Sequence, residues 1–210
     1  MRITVFGAAG AVGRRVVAEA FTRGHEVTAV VRDPRRAADL PAEATVRTGD
    51  AANPSDVASL ARGQDLVITA TRPAAGREAE LVQTTRSLLE GLAGTGVRLL
   101  AVGGAATLRT PGGTTVLDDP AFPAELRPIA SACRDQHEVY RAGTGVDWTY
   151  ASPPLLLEPG ERTGHYRLGG DDLLADAGGR SAISMEDFAI ALLDEAERPR
   201  HHRTRFTVAY

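Results

Sequence analysis

Three glycines set three residues apart, Gly7, Gly10 and Gly13, follow a β-branched and aromatic run, Arg2 to Phe6. They precede a segment whose apolar residues Val12, Val16, Val17, Ala20 and Phe21 recur at helical spacing. Strand, glycine loop and helix in that order restrict the chain more than any other feature. Gly7 turns the backbone sharply after the strand. Gly10 lets the main chain approach a pyrophosphate with no side chain between them. Gly13 lets the helix lie close to the sheet. An anion then rests on free N–H groups at the positive end of the helix. The spacing is G-x-x-G-x-x-G rather than G-x-G-x-x-G, so the strand–loop–helix context carries the inference. The expected contacts are Gly7, Ala9, Gly10, Ala11, Val12 and Gly13.

The end of the next strand, Glu26 to Val31, decides which dinucleotide fits. An acidic residue there holds the ribose hydroxyls of NAD, whereas an arginine accommodates a 2′-phosphate. The first polar residue is Arg32, with Arg35 and Arg36 close behind. A guanidinium matches a phosphate in charge and in geometry. The expected cofactor is therefore NADP(H). The competing reading makes Asp33 the ribose ligand. Asp33 precedes Pro34, however, and helix capping accounts for it.

Strand and helix patterns alternate onward to Ala151. Thr45 to Thr48, Asp65 to Thr69, Val97 to Val102 and Val146 to Ala151 read as strands. Helices open at Asn53-Pro54, at Arg77 and near Ala124. The near-continuous apolar run Val97 to Val102 suits a parallel strand buried on both faces. This order predicts an α/β Rossmann-type, doubly wound parallel sheet, a single domain over residues 1–210. Two Gly-, Pro- and Asp-rich segments, about 109–123 and 153–179, interrupt the alternation on the substrate side of the sheet. Segments of that length within a compact domain are usually functional. A closing helix, Glu186 to Glu197, and a last strand, Arg205 to Ala209, complete the chain.

Composition removes several classes of chemistry. All 24 basic residues are arginine, so no P-loop lysine, Schiff-base lysine or Tyr-x-x-x-Lys pair is possible. Net charge is −3 with both signs dispersed, which makes nucleic acid and anionic membranes poor partners. No apolar run is long enough to span a bilayer. The single cysteine, Cys133, excludes an intrachain disulfide and fits a cytoplasmic location. Cys133 itself reads as a small filler residue. His201-His202 has no metal-ligand spacing with other donors, so no metal is expected. There is no G-x-S-x-G elbow.

The chain resembles the atypical short-chain dehydrogenase/reductases, in the NAD(P)H-binding group that includes biliverdin-IXβ/flavin reductase and NmrA-like proteins. The resemblance rests on Gly7 to Gly13, Arg32, Gly49-Asp50, Val102 to Leu108, Asp147 to Pro154 and Ile183 to Ala189. It implies that Asp50, with Ala51 beside it, sits by the adenine. It implies that Ala70, Thr71 and Arg72 line the cofactor after the fourth strand. Gly103 and Gly104 then pass beneath the nicotinamide ribose, and Pro153-Pro154 borders the nicotinamide. The family's Gly-Gly-Ala-Gly-Ser-Leu ends here in Ala105-Ala106-Thr107-Leu108, so Thr107 replaces the catalytic serine. The family's Tyr-x-x-x-Lys falls on Ala130 to Arg134, with no tyrosine and with Arg134 in the lysine position.

The resulting expectation is an NADP(H)-dependent oxidoreductase of a small molecule, monomeric or homodimeric. Thr107, Arg134 and Tyr166 are its candidate catalytic residues. Without a strong acid, a conjugated acceptor such as a quinone, flavin or enone suits better than a simple ketone. An NADP(H)-binding redox sensor, or an isomerase or dehydratase on the same scaffold, is the alternative.

Overall fold

The computed structural model describes residues 1–38 and 40–210. Strands β1 (Arg2–Phe6), β2 (Glu26–Val31), β3 (Thr45–Thr48), β4 (Leu66–Thr69), β5 (Arg98–Val102) and β6 (Trp148–Ser152) are joined by crossovers that keep every pair parallel. Three further strands are β7 (Leu156–Glu158), β8 (Arg167–Gly169) and β9 (Ala182–Ser184), and β10 (Thr204–Ala209) closes the chain. The main sheet has the order β3-β2-β1-β4-β5-β6-β10-β8. The chain runs outward from β1 to β3, then crosses back to β4 on the other side of β1. That reversal opens a crevice beyond the C-terminal ends of β1 and β4, the ligand position of open α/β sheets.

Helices α1 (Ala11–Thr22) and α5 (Met185–Glu197) cover one face. Val16, Val17, Phe188 and Leu192 pack there against Ile3, Val5 and Ile68. Helices α2 (Pro54–Ala61), α3 (Glu80–Leu92) and α4 (Arg127–Ala142) cover the other, where Val57, Leu88 and Tyr140 meet Phe6, Leu99 and Tyr150. Both faces are dry, which is why β4 and β5 are apolar at almost every position instead of alternating.

The doubly wound α/β architecture is as expected, with three differences. The segment 153–179 contains β7 and β8. Strand β7 pairs with β9 in a separate two-stranded sheet. Strand β8 runs antiparallel to β10 at the sheet edge, so the main sheet is not wholly parallel. These three-residue strands carry no alternating pattern for a sequence to display. The segment is also pinned by carboxylates. Glu19 of α1 takes two hydrogen bonds from Arg162, and Asp187 of α5 accepts from Thr163 Oγ1, Gly164 N and Tyr210 Oη. No helix is long and apolar enough to cross a membrane among the described residues.

Candidate functional site: a dinucleotide cleft

Gly7 has φ +76°, and a Cβ built on it would lie 2.6 Å from the Ala70 carbonyl oxygen. The exit of β4 therefore passes directly over the turn, and only glycine fits. A Cβ on Gly13 would lie 2.1 Å from the Gly7 carbonyl, so α1 sits against the turn itself. Gly10 N–H donates to Gly7 O at 2.9 Å. Gly10 is the N-cap of α1 and supplies no side-chain cap, which leaves the first N–H groups of the helix open to the crevice. A pyrophosphate matches this cradle in charge and in size.

The cradle forms one wall of a cleft of about 1330 Å³, larger than the 300–1,000 Å³ usual for a single small ligand. Gly7, Ala9, Gly10, Ala11, Val12, Arg32, Asp50, Ala51, Ala70, Thr71, Arg72, Gly103, Gly104, Pro153 and Pro154 all line it. Gly13 lies behind the lining, packed on Gly7. Arg32 and Arg36 line its far end and have no ion-pair partner among the described residues. Asp33 also faces the cleft, but its carboxylate accepts from Arg35 N at 3.0 Å and pairs with the Arg35 guanidinium at 2.9 Å. These bonds hold the Asp33 carboxyl below the usual carboxylate range. Helix capping is thus its observed role.

The three candidate catalytic side chains stand elsewhere. Thr107 Oγ1 accepts from Arg205 Nη1 at 2.6 Å, and its side chain is not part of the cleft wall. Arg134 is exposed and paired with Asp135 at 3.0 Å. The face of α4 toward the cleft carries Ile129, Ala130, Cys133 and Gln136, and position 134 is rotated past the edge of that stripe. Tyr166 hydrogen-bonds Asp194 of α5 on the opposite side of the sheet. Counting along the chain put Thr107 after β5 and Arg134 on α4. It could not show that Arg205, almost one hundred residues on, takes the Thr107 hydroxyl.

Two features of this end of the cleft were not anticipated. Tyr150, wholly buried on β6, lies under Gly103, where an added Cβ would come 2.1 Å from the ring. Its hydroxyl accepts from Gly104 N at 3.0 Å and donates to Gln136 Oε1 at 3.1 Å. The glycine pair is therefore seated on a tyrosine and tied to α4. Cys133 borders Gly104, and burial pushes its thiol up to about 11, so it stays protonated. The i, i+3, i+6 set Ala130, Cys133 and Gln136 was the available sequence signal for this face.

Residues 7–199 match the NAD(P)H-binding family. Over 99% of its length the chain is 36% identical to YwnB, an uncharacterized protein of Bacillus subtilis, and it covers 98% of that protein. It is 30% identical to a 3-diazoavenalumate denitrifying reductase from a Streptomyces species, over 85% of this chain and 63% of that one. A proposed NADH-flavin reductase from Streptococcus pneumoniae superposes with a TM-score of 0.89 and 34% identity, covering 100% of this chain and 99% of the other. A glycine cradle at the head of α1, a cleft at the sheet's reversal point and a match over nearly the whole chain agree: this protein belongs to the NAD(P)H-binding family.

Proposed function

We propose that the protein is an NADP(H)-dependent reductase of a small conjugated acceptor. The observation that carries the cofactor preference is the pair Arg32 and Arg36 at the exit of β2, lining the cleft while Asp33 is occupied by Arg35. A 2′-phosphate would meet two guanidinium groups there, and a bare ribose would find the Asp33 carboxylate already paired. The open N–H groups after Gly10 would hold the pyrophosphate. When bound, the reduced nicotinamide supplies the two electrons and the hydrogen that the acceptor takes up.

The chain's own part is position and shielding. Pro111, Phe122, Ile129 and Leu155 give the remaining cleft an apolar wall. By the Gly103–Gly104 turn no acidic proton is available near neutral pH. Ala130 stands in the family's tyrosine position, burial raises the Cys133 thiol, and burial keeps the Tyr150 phenol well above its ordinary value. An acceptor that spreads its incoming charge and takes its proton from water suits such a site. The two named reductases among the similar proteins support the general part of this reading, a reductase.

Calorimetric titration with NADPH and NADH tests it, together with NADPH oxidation across a panel of quinones, flavins and enones. Arg32→Ala should weaken NADPH binding about tenfold to a hundredfold, the loss of one charge-assisted contact of about 1.5–3 kcal/mol. NADH affinity should stay the same. Equal losses for both cofactors would remove the phosphate role. The absent acid also favours a second reading, a redox-sensing regulator, which predicts tight NADPH binding with no turnover on any acceptor in the panel.

A further inference from the structure

Gln136 is 3% exposed, yet it lines the cleft. A side-chain amide buried to that extent normally has both of its ends hydrogen-bonded. Here Oε1 accepts from the Tyr150 hydroxyl, while Nε2 has no hydrogen-bond partner among the described residues and stays open to the solvent of the cleft. In the structure Oε1, not Nε2, faces the phenol. Gly104 N–H occupies a lone pair of Tyr150 Oη, so the phenol proton points onward, toward Gln136 Oε1 at 3.1 Å and the Cys133 carbonyl at 3.2 Å. With Oε1 held by Tyr150, the NH₂ end turns away from it. Ala130 and Cys133, on the same face of α4, give this part of the wall no competing strong donor.

We propose that Gln136 is the substrate-gripping residue of the cleft, its Nε2–H donating to the carbonyl oxygen of a conjugated acceptor lying against the Gly103–Gly104 turn. This rests on the reductase reading above. An amide N–H donates at any pH and does not titrate. In a partly desolvated site it stabilises negative charge on a carbonyl oxygen more strongly than water would, because it needs no reorientation. As charge builds on that oxygen the bond tightens, and the oxygen then takes its proton from water. A site built around a fixed donor also discriminates. A ligand of the same shape without the oxygen leaves the amide unpaired and binds worse. The substrate class is thus a planar carbonyl compound, with a quinone, a flavin or an enal as members.

The test uses the NADP⁺-loaded protein and 1,4-naphthoquinone carrying ¹³C at its carbonyls. Isotope-edited infrared spectra report hydrogen bonding at the bound oxygen, and calorimetry reports affinity. Gln136→Glu keeps an acceptor for Tyr150 but loses the donor at pH 7.5, and Gln136→Met keeps the length without either. The wild type should show a carbonyl band shifted down from the free quinone. In both variants the band should return toward the free frequency and affinity should fall at least tenfold, with NADP⁺ binding unchanged and the melting temperature lowered by no more than the loss of one buried hydrogen bond allows. If wild type and a folded variant share one band position and one affinity, the assignment to Gln136 is overturned while the reductase reading stands. If the wild type binds NADP⁺ but no naphthoquinone, both are overturned.

Discussion

A single methyl group at position 10 is the smallest change that separates the anion seat from the fold. A Cβ there would lie 3.1 Å from the Gly7 carbonyl, a tight contact that a shift of a few tenths of an ångström relieves, and the backbone at position 10 is extended. The same methyl would stand between the main chain and a pyrophosphate. Gly10→Ala should therefore change thermal stability little, by about 1 kcal/mol at most. NADPH affinity measured by calorimetry should fall tenfold or more. Unaltered affinity in a folded variant would show that the dinucleotide does not sit on this loop. The glycine turn of this loop was legible from the sequence because its shape depends on local backbone geometry. Thr107, Arg134 and Tyr166 stand outside the cleft wall, because where a side chain points depends on distant partners. Arg205 takes the first, rotation about α4 turns away the second, and Asp194 holds the third.

Among the elements, the two loop-rich insertions behave as one body. Arg109 N–H donates to Asp171 O and Leu173 N–H to Arg109 O, so the first insertion is threaded to the second. Arg205 on β10, 8% exposed, bonds Thr107 Oγ1 and pairs with Asp171 at 2.5 Å, drawing both onto the sheet. That pairing holds the Asp171 carboxyl low. Arg205→Met should free the insertions together without exposing either core. Limited proteolysis should then cut faster within 109–123 and 170–180, at an otherwise similar melting temperature. Cleavage confined to one segment would show that the two are not coupled through Arg205. The sequence marked both insertions as functional by composition and length, but the contacts between them join positions sixty or more residues apart and leave no local pattern.

For the molecule as a whole, acid is the informative stress. His137 is buried against the Tyr150 ring, with centroids 4.8 Å apart. Burial chiefly, with the nearby Arg205 and Arg141 charges, lowers its pKa to about 4, against the opposing pull of Glu138 and Asp171. A depressed folded pKa means that the unfolded chain takes up the proton first. The stability this group contributes is complete above about pH 6.5 and is lost as pH falls toward 4, by a few kcal/mol in order of magnitude. The carboxylates of Glu19, Glu195 and Asp187 act lower. Burial raises each, but hydrogen bonds outweigh it: Arg162 and Arg23 at Glu19, His201 and Arg98 at Glu195, Thr163 and Gly164 at Asp187. Their contribution is lost only below about pH 4.5, where unfolded carboxyls protonate. Melting temperature against pH should fall in two stages, and His137→Phe should flatten the upper one between pH 6.5 and 4. A variant with an unchanged upper stage would dissociate it from His137.

The sequence by itself determined the alternation of strand and helix, the doubly wound sheet, the glycine cradle and the arginine at the end of β2. Each depends on residues within one turn, one strand or one strand–loop–helix unit, where periodicity and steric limits act locally. The tertiary structure alone decided what lies beside the Gly103–Gly104 turn: Tyr150 beneath it, Gln136 tied to it, and Thr107 drawn away by Arg205. Those arrangements are hydrogen bonds between side chains and backbone far apart in the chain. A polar group's partner is set by which elements the folded sheet brings together, and the order of residues does not encode that locally.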